Sequence, residues 1–167
     1  MLEPRLPLDL EVAVLVARRP SGQVVTWPIL ETVQVDGMCD EVLWPASLSP
    51  ELAEQAREVG RRVAEVTGAV GVLAVELFVS DGELVVNEIA PRPHNSGHLT
   101  IEGSRTSQFE QHLRAVLDWP LGPTEPTAPS VVMANVVGGP DGDPRDRQAD
   151  ALAVEPGANI HLYGKRS

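Results

Sequence analysis

Two apolar runs separated by a turn constrain this chain more than any other feature. Val70 to Val79 and Glu83 to Ile89 are rich in Val and Leu, and Ser80-Asp81-Gly82 stands between them. Such runs punctuated by Asp-Gly read as a β-hairpin. Glu76 interrupts the first run, and a carboxylate in a buried strand is costly unless it is paired or bound to a metal. Glu88 ends the second run, so the turn decides whether the two acids share a face. A two-residue Asp81-Gly82 loop sets Glu76 opposite Asn87 and turns Glu88 away. A three-residue Ser80-Asp81-Gly82 loop sets Val79 opposite Glu83 and Glu76 opposite Val86. Glu88 is then a diagonal neighbour of Glu76, roughly 7–8 Å away. We expect the three-residue form. Two carboxylates so placed can share magnesium, a hard ion that prefers oxygen and keeps water or phosphate ligands. Spacing alone balances this against a plainer reading, in which Glu76 pairs with a buried arginine and Glu88 merely ends a strand.

The segment that follows, Glu88-Ile-Ala-Pro-Arg92-Pro-His94-Asn95-Ser-Gly-His98, crowds acid, guanidinium, imidazole and amide groups together. Pro91, Pro93 and Gly97 keep it from being a helix or a central strand. A loop dense in chemistry at the end of a buried strand is a common way to build a site, because the sheet fixes its side chains. A solvated surface loop has no need of an arginine, two histidines and an asparagine so close together. Arg92 and His94 therefore tip the reading of Glu76 and Glu88 towards metal and phosphate.

The rest of the chain supplies the frame. Residues 11–18, 23–27 and 29–35 read as strands, the last ended by Asp36-Gly37. Ser49 caps a helix that Pro50 opens and Gly68 closes, with Leu52, Ala56, Val59, Val63 and Val66 towards the core. A second helix begins near Ser107, where Ser107 and Glu110 have capping-box spacing; Phe109, Leu113, Val116 and Leu117 should face the core. His112 on that helix reads as a surface residue, and Cys39 and the three tryptophans as packing. Pro120, Gly122, Pro123, Pro126 and Pro129 mark a boundary between domains 1–120 and 121–167. Beyond it a strand is expected over 130–137, a polar loop over 138–150 and a short strand over 158–163. Strands early and helices later make the class α+β.

Composition narrows the partners. The net charge of -11 argues against nucleic acid and anionic membranes. No apolar run approaches a membrane span, and the first residues lack the pattern of a signal peptide. Cys39 is the only cysteine, so no internal disulfide forms and a reducing cytoplasm is the simplest home. Lys165 is the only lysine, where a grip on nucleotide phosphates usually needs several cations.

Glu88 to Thr100, with the run His94-Asn95-Ser96-Gly97-His98, and then Ser107-Gln-Phe-Glu110-Gln-His-Leu-Arg114-Ala, closely resemble the signature of the N5-carboxyaminoimidazole ribonucleotide synthases. These are carboxylating enzymes of purine biosynthesis in the ATP-grasp superfamily. The resemblance extends from about Glu11 to Lys165. It implies ATP and magnesium as cofactors, and bicarbonate and aminoimidazole ribonucleotide as substrates. By resemblance, Glu76 and Glu88 match the magnesium-binding acids that bridge the ATP phosphates, and Arg92 the arginine beside bicarbonate. His94 and Asn95 match residues lining the bicarbonate and aminoimidazole pocket, and Lys165 a lysine that reaches the ribonucleotide phosphate. Asn87 flanks the metal site, and Ala90 stands where related carboxylases carry a metal-binding asparagine. His98 reads as a supporting hydrogen-bonding residue, and Ser96 and Gly97 as shaping the loop.

The resemblance also implies a piece of such an enzyme: the larger ATP-grasp lobe, with an antiparallel sheet and flanking helices, plus an incomplete small β-rich C-terminal domain. The N-terminal α/β domain, the lysine-bearing small lobe and a basic segment expected just past Ser167 are not in the sequence. Little or no synthase activity is expected of the chain alone, with an apolar face exposed where the other lobes dock and a homodimer at full length. Another ATP-grasp ligase acting on a different acceptor, a non-catalytic remnant, and a split-enzyme subunit needing a separate N-terminal polypeptide stand as alternatives.

Overall fold

The computed structural model describes residues 5–136 and 143–162. Its first compact unit ends at Ala134 and is built on one antiparallel sheet. The strands are β1 (Leu10–Arg18), β2 (Val24–Thr26), β3 (Leu30–Val35), β4 (Met38–Trp44), β5 (Gly71–Ser80), β6 (Glu83–Ala90) and β7 (Val131–Ala134). They lie in the order β6-β5-β1-β3-β4-β7, with β2 paired to β1. β1 pairs with β5 along its whole length, from Leu10 opposite Val79 to Arg18 opposite Gly71. Val12 to Ala17 are all buried, the signature of a strand covered on both faces. Asp36-Gly37 does not simply end β3. Both residues take positive φ, 51° and 76°, and turn the chain directly into β4. That strand was hidden because Met38-Cys39-Asp40-Glu41 shows no apolar alternation.

Helix α1 (Pro50–Thr67) covers one face, capped as expected by Ser49 Oγ, which accepts from Leu52 N, and closed by Gly68 at φ 64°. It approaches on its small residues: Ala56, Gly60 and Ala64 are buried, and a Cβ on Gly60 would stand 2.6 Å from Val14 Cγ1. Leu52, Val59 and Val63 flank this contact, whereas Val66, placed in the core by periodicity, is 71% exposed.

Part of the opposite face is covered by the short helix α2 (Thr100–Gly103) and by α3 (Gln108–Val116). Here the expected orientation is corrected. Gln108, Gln111 and Ala115 are buried, and Phe109, Leu113, Val116 and Leu117 are exposed. The helix turns a polar stripe inward because each buried amide bonds backbone through both its oxygen and its nitrogen; an unpaired one would cost about 1–3 kcal/mol. Gln111 Nε2 donates to Gly122 O and its Oε1 accepts from Gly122 N, both at 2.8 Å. His112 is also not a surface residue, since it is half-buried and its Nδ1 accepts from Val72 N at 3.1 Å. Trp27 and Trp44 pack in the core, with Trp27 Nε1 donating to Thr106 O, but Trp119 is exposed. Together with Val85, Val86 and Ile89 on the edge strand β6, the outer side of α3 leaves considerable apolar surface in solvent.

The strand expected at the start of a second domain is β7, and it pairs with β4, Trp44 opposite Val131. The division into compact units accordingly falls after Ala134 rather than at 120, and the proline-rich stretch lies within the first unit. Residues 135–162, where described, hold a 3-10 turn over Pro144–Arg147 and helix α4 (Gln148–Val154) in place of the end of the expected polar loop. Ala158 to Leu162 form no strand, and Tyr163 and the first part of the polar loop lie outside the described residues. No helix among the described residues is long and apolar enough to cross a membrane.

Candidate active site

The sheet face opposite α1 is apolar where α3 and its flanking loops cover it, through Ala13, Leu15, Ala17, Val72 and Ala74. Farther along the same face the next positions are Glu11 on β1 and Glu76 on β5, both only half-buried. The alternation of a strand therefore carries the site: one more step along the face that holds Ala74 arrives at a carboxylate.

The β5–β6 turn is the two-residue form, which corrects the expected three-residue loop. Ser80 pairs with Glu83, and Asp81 and Gly82 take φ of 51° and 76°. By itself this turn would set Glu76 opposite Asn87. A β-bulge intervenes: Leu77 pairs with Val86, Asn87 is the extra residue, and Glu76 pairs directly with Glu88. The two acids thus share a face as anticipated, but through a bulge that no turn rule announces. Ala90, opposite Ala74, confirms the phase, since both belong to the same core cluster.

Beyond Ala90 the loop folds back onto Glu76. His94 Nε2 lies 3.0 Å from Glu76 Oε1, and His94 Nδ1 lies 2.9 Å from Ser96 Oγ. Asn95 opens a 3-10 turn over Asn95–Gly97, and its carbonyl meets both His98 N and His98 Nδ1. Ser96 and Gly97 are buried and shape the turn, and the His98 ring packs edge-on against Phe109 at 5.3 Å. The Gln108 side chain holds the backbone of His94 at both ends, with Oε1 accepting from His94 N at 2.9 Å and Nε2 donating to His94 O at 2.7 Å. Sequence reading missed Gln108; the available signal was a second glutamine, Gln111, at a spacing that puts both amides on one helix face.

The electrostatics follow from this packing. The Glu76 carboxyl is held below the usual carboxylate range, chiefly by the hydrogen bond from His94, against the opposing effect of burial; Arg92 and Asn87 add to the lowering. Glu11 moves the other way, pushed up by its burial and then by the charge of Glu76, with a hydrogen bond from Gln34 in partial opposition. Burial raises the Cys39 thiol, and the charges of Glu76, Asp40 and Glu11 raise it further. Arg92 is exposed, its guanidinium donating to Pro93 O.

Of the residues singled out in the sequence, Glu76, Glu88, Arg92, His94 and Asn95 lie on β5, β6 and the loop that continues β6, while Lys165 lies outside the described residues. Among the described residues, no group of three or more His, Cys, Asp or Glu side chains could by itself hold a metal ion. Glu76 and Glu88, paired across β5 and β6 with Asn87 beside them, are the residues here that could contribute oxygen ligands to a cation completed by water or substrate.

The ATP-grasp domain family matches residues 1–109. The chain belongs to the ATP-grasp family. Within it, the chain is 52% identical over 170 residues to the N5-carboxyaminoimidazole ribonucleotide synthase of Mycobacterium tuberculosis H37Rv, a match that takes in 99% of this chain and 40% of that protein. The enzyme of the same name from Corynebacterium ammoniagenes is 49% identical, again over 99% of this chain and 42% of the relative. Among solved structures, the N5-carboxyaminoimidazole ribonucleotide synthetase of Thermus thermophilus superposes with a TM-score of 0.88 at 44% identity, over 98% of this chain and 44% of that one. The Aspergillus clavatus synthase, in complex with ADP and 5-aminoimidazole ribonucleotide, gives 0.89 at 37% identity, over 96% and 43%. This ATP-grasp chain thus spans about two fifths of the length of the curated relatives it matches.

Proposed function

We propose that this chain is the larger ATP-grasp lobe of a carboxylating ligase of purine biosynthesis. The complete enzyme would join bicarbonate to 5-aminoimidazole ribonucleotide at the expense of ATP, giving N5-carboxyaminoimidazole ribonucleotide, ADP and phosphate. The observation that carries this reading is the cross-strand pair Glu76–Glu88 with His94 on Glu76. Magnesium held between Glu76 and Glu88 would neutralise charge on the ATP phosphates during phosphoryl transfer. Arg92, whose charge is already felt at Glu76, offers a planar guanidinium to bicarbonate and to the carboxyphosphate formed from it. His94 and Asn95 line the pocket of the acceptor amine. The contact of His94 Nε2 with Glu76 holds the imidazole beside the carboxylate, with Nε2 as the donor. Lys165 serves the phosphate of the ribonucleotide.

Half of a nucleotide clamp cannot by itself exclude water or orient the phosphates, so the isolated chain is expected to turn over little or nothing. The remaining lobes belong to the same enzyme or to a subunit that supplies them, and the complete protein acts as a cytoplasmic homodimer. The test is a chimera in which this chain replaces the matching segment of the Mycobacterium tuberculosis relative. ADP release that requires both bicarbonate and aminoimidazole ribonucleotide, and that is lost in E76Q and R92A, supports the reading. A folded chimera that ignores the ribonucleotide, or releases ADP only with another amine, overturns it.

A further inference from the structure

The Gln108 amide is fully buried, yet both of its poles are spent on one residue of the neighbouring loop. A primary amide that accepts from a backbone N–H and donates to the C=O of the same residue acts as a rung of β-ladder. It fixes the backbone of that residue, here His94 at φ -120° and ψ 153°. The backbone of Gln108 grips the other end of the turn. Its N–H donates to Thr100 Oγ1 at 2.9 Å, and the Thr100 hydroxyl donates to Gly97 O at 2.6 Å. Gly97 makes the room, since a Cβ there would stand 2.3 Å from Gln108 Oε1.

We propose that Gln108 is the positioning residue for His94 and, through its ring, for the Glu76 carboxylate; the functional consequence rests on the reading above. With the His94 backbone fixed, Ser96 Oγ at Nδ1 and Glu76 Oε1 at Nε2 leave the ring one arrangement. A carboxylate at Nε2 makes that nitrogen the donor, so Nδ1 takes the Ser96 hydroxyl proton. Gln111 supplies a matched control. It lies on the same helix, is equally buried and makes the same two-way bond, but to Gly122. Both amides stabilise the helix contact, and only one of them holds a residue of the site.

The experiment compares the wild-type chain with Q108M and Q111M. Long-range proton–nitrogen NMR reports the His94 tautomer, and titration with manganese–ATP reports binding. Wild type and Q111M are expected to show a single Nε2–H tautomer. Q108M should show a mixture of the two neutral tautomers, together with a roughly ten-fold loss of manganese–ATP affinity. A folded Q108M with the wild-type tautomer signature overturns the proposal. Should Q108M not fold, Q108N keeps a buried amide but is one methylene too short to reach both His94 N and His94 O; the same mixing is expected, and a retained single tautomer again overturns it. If the wild-type chain, as half of the clamp, binds no manganese–ATP, the tautomer comparison by itself judges Gln108, and the functional reading is judged by the chimera.

Discussion

The two faces of the central sheet are made from alternate residues of the same strands, and they differ completely in what they tolerate. Val12, Val14, Val16, Leu73, Val75, Leu77 and Val79 point towards α1 and leave no place for a polar group. The alternate positions begin the same way, with Ala13, Leu15, Val72 and Ala74, and then change to Glu11 and Glu76 where the helical cover stops. The first face is a packing surface that fixes where the strands lie. The second spends that rigidity on holding two carboxylates side by side. A buried strand can thus serve core and site together, provided that the covering layer is shorter than the strand.

Breaking the packed face should have the largest effect. In G60V, the new side chain enters space where even a Cβ is 2.6 Å from Val14 Cγ1 and 2.9 Å from Val16 Cγ2. We expect a loss of roughly 3 kcal/mol in chemical denaturation, because overpacking a helix–sheet contact forces backbone to move.

On the open face the same kind of change should spare stability and remove binding. E76Q and E88Q are expected to unfold within about 1 kcal/mol of wild type. Each should weaken manganese–ATP binding by roughly ten-fold or more in a calorimetric titration. A variant that loses stability and keeps affinity would mean that the acids belong to the frame.

A smaller effect sharpens the contrast within the open face, where two carboxyls are shifted in opposite directions. The Glu76 pKa is lowered on folding, so its contribution to stability is complete above the ordinary carboxylate value. That contribution is lost as pH falls through the depressed one. The Glu11 pKa is raised, so its contribution is complete at low pH and disappears as pH rises through the raised value. Carbon-detected NMR titration should show H94A moving the Glu76 midpoint up, since His94 is the main cause of the lowering. E76Q should move the Glu11 midpoint down only in part, because burial is the larger cause there. The smallest effect is expected from V66S, within about 0.5 kcal/mol by thermal unfolding, since Val66 is 71% exposed.

What could be read in the sequence follows the same division. Alternation and capping announced β1, β5, β6 and both ends of α1, because burial and hydrogen-bonding demands there are local. The Glu88–His98 segment was legible as a loop leaving the end of β6, which is where Arg92, His94 and Asn95 lie. Three features escaped because their reasons lie across the fold. The bulge at Asn87 is set by the pairing of β6 with β5 and not by the Asp81-Gly82 turn. β4 carries Asp40 and Glu41 without alternation, and it too is bulged, with Gln34 opposite Cys39 and Val33 opposite Glu41. In α3 the apolar stripe Phe109, Leu113, Val116 faces out, because Gln108 and Gln111 find backbone partners inside that no periodicity can foresee.

The claim on which the account turns is that Glu76 and Glu88 jointly receive a divalent cation. Paramagnetic broadening of backbone resonances by manganese, titrated into the chain with ATP present, tests it most directly. Saturable broadening centred on Glu76, Asn87 and Glu88 is expected, and it should be abolished in both E76Q and E88Q. Broadening that persists in those variants, or that centres on a different acidic surface, would contradict it.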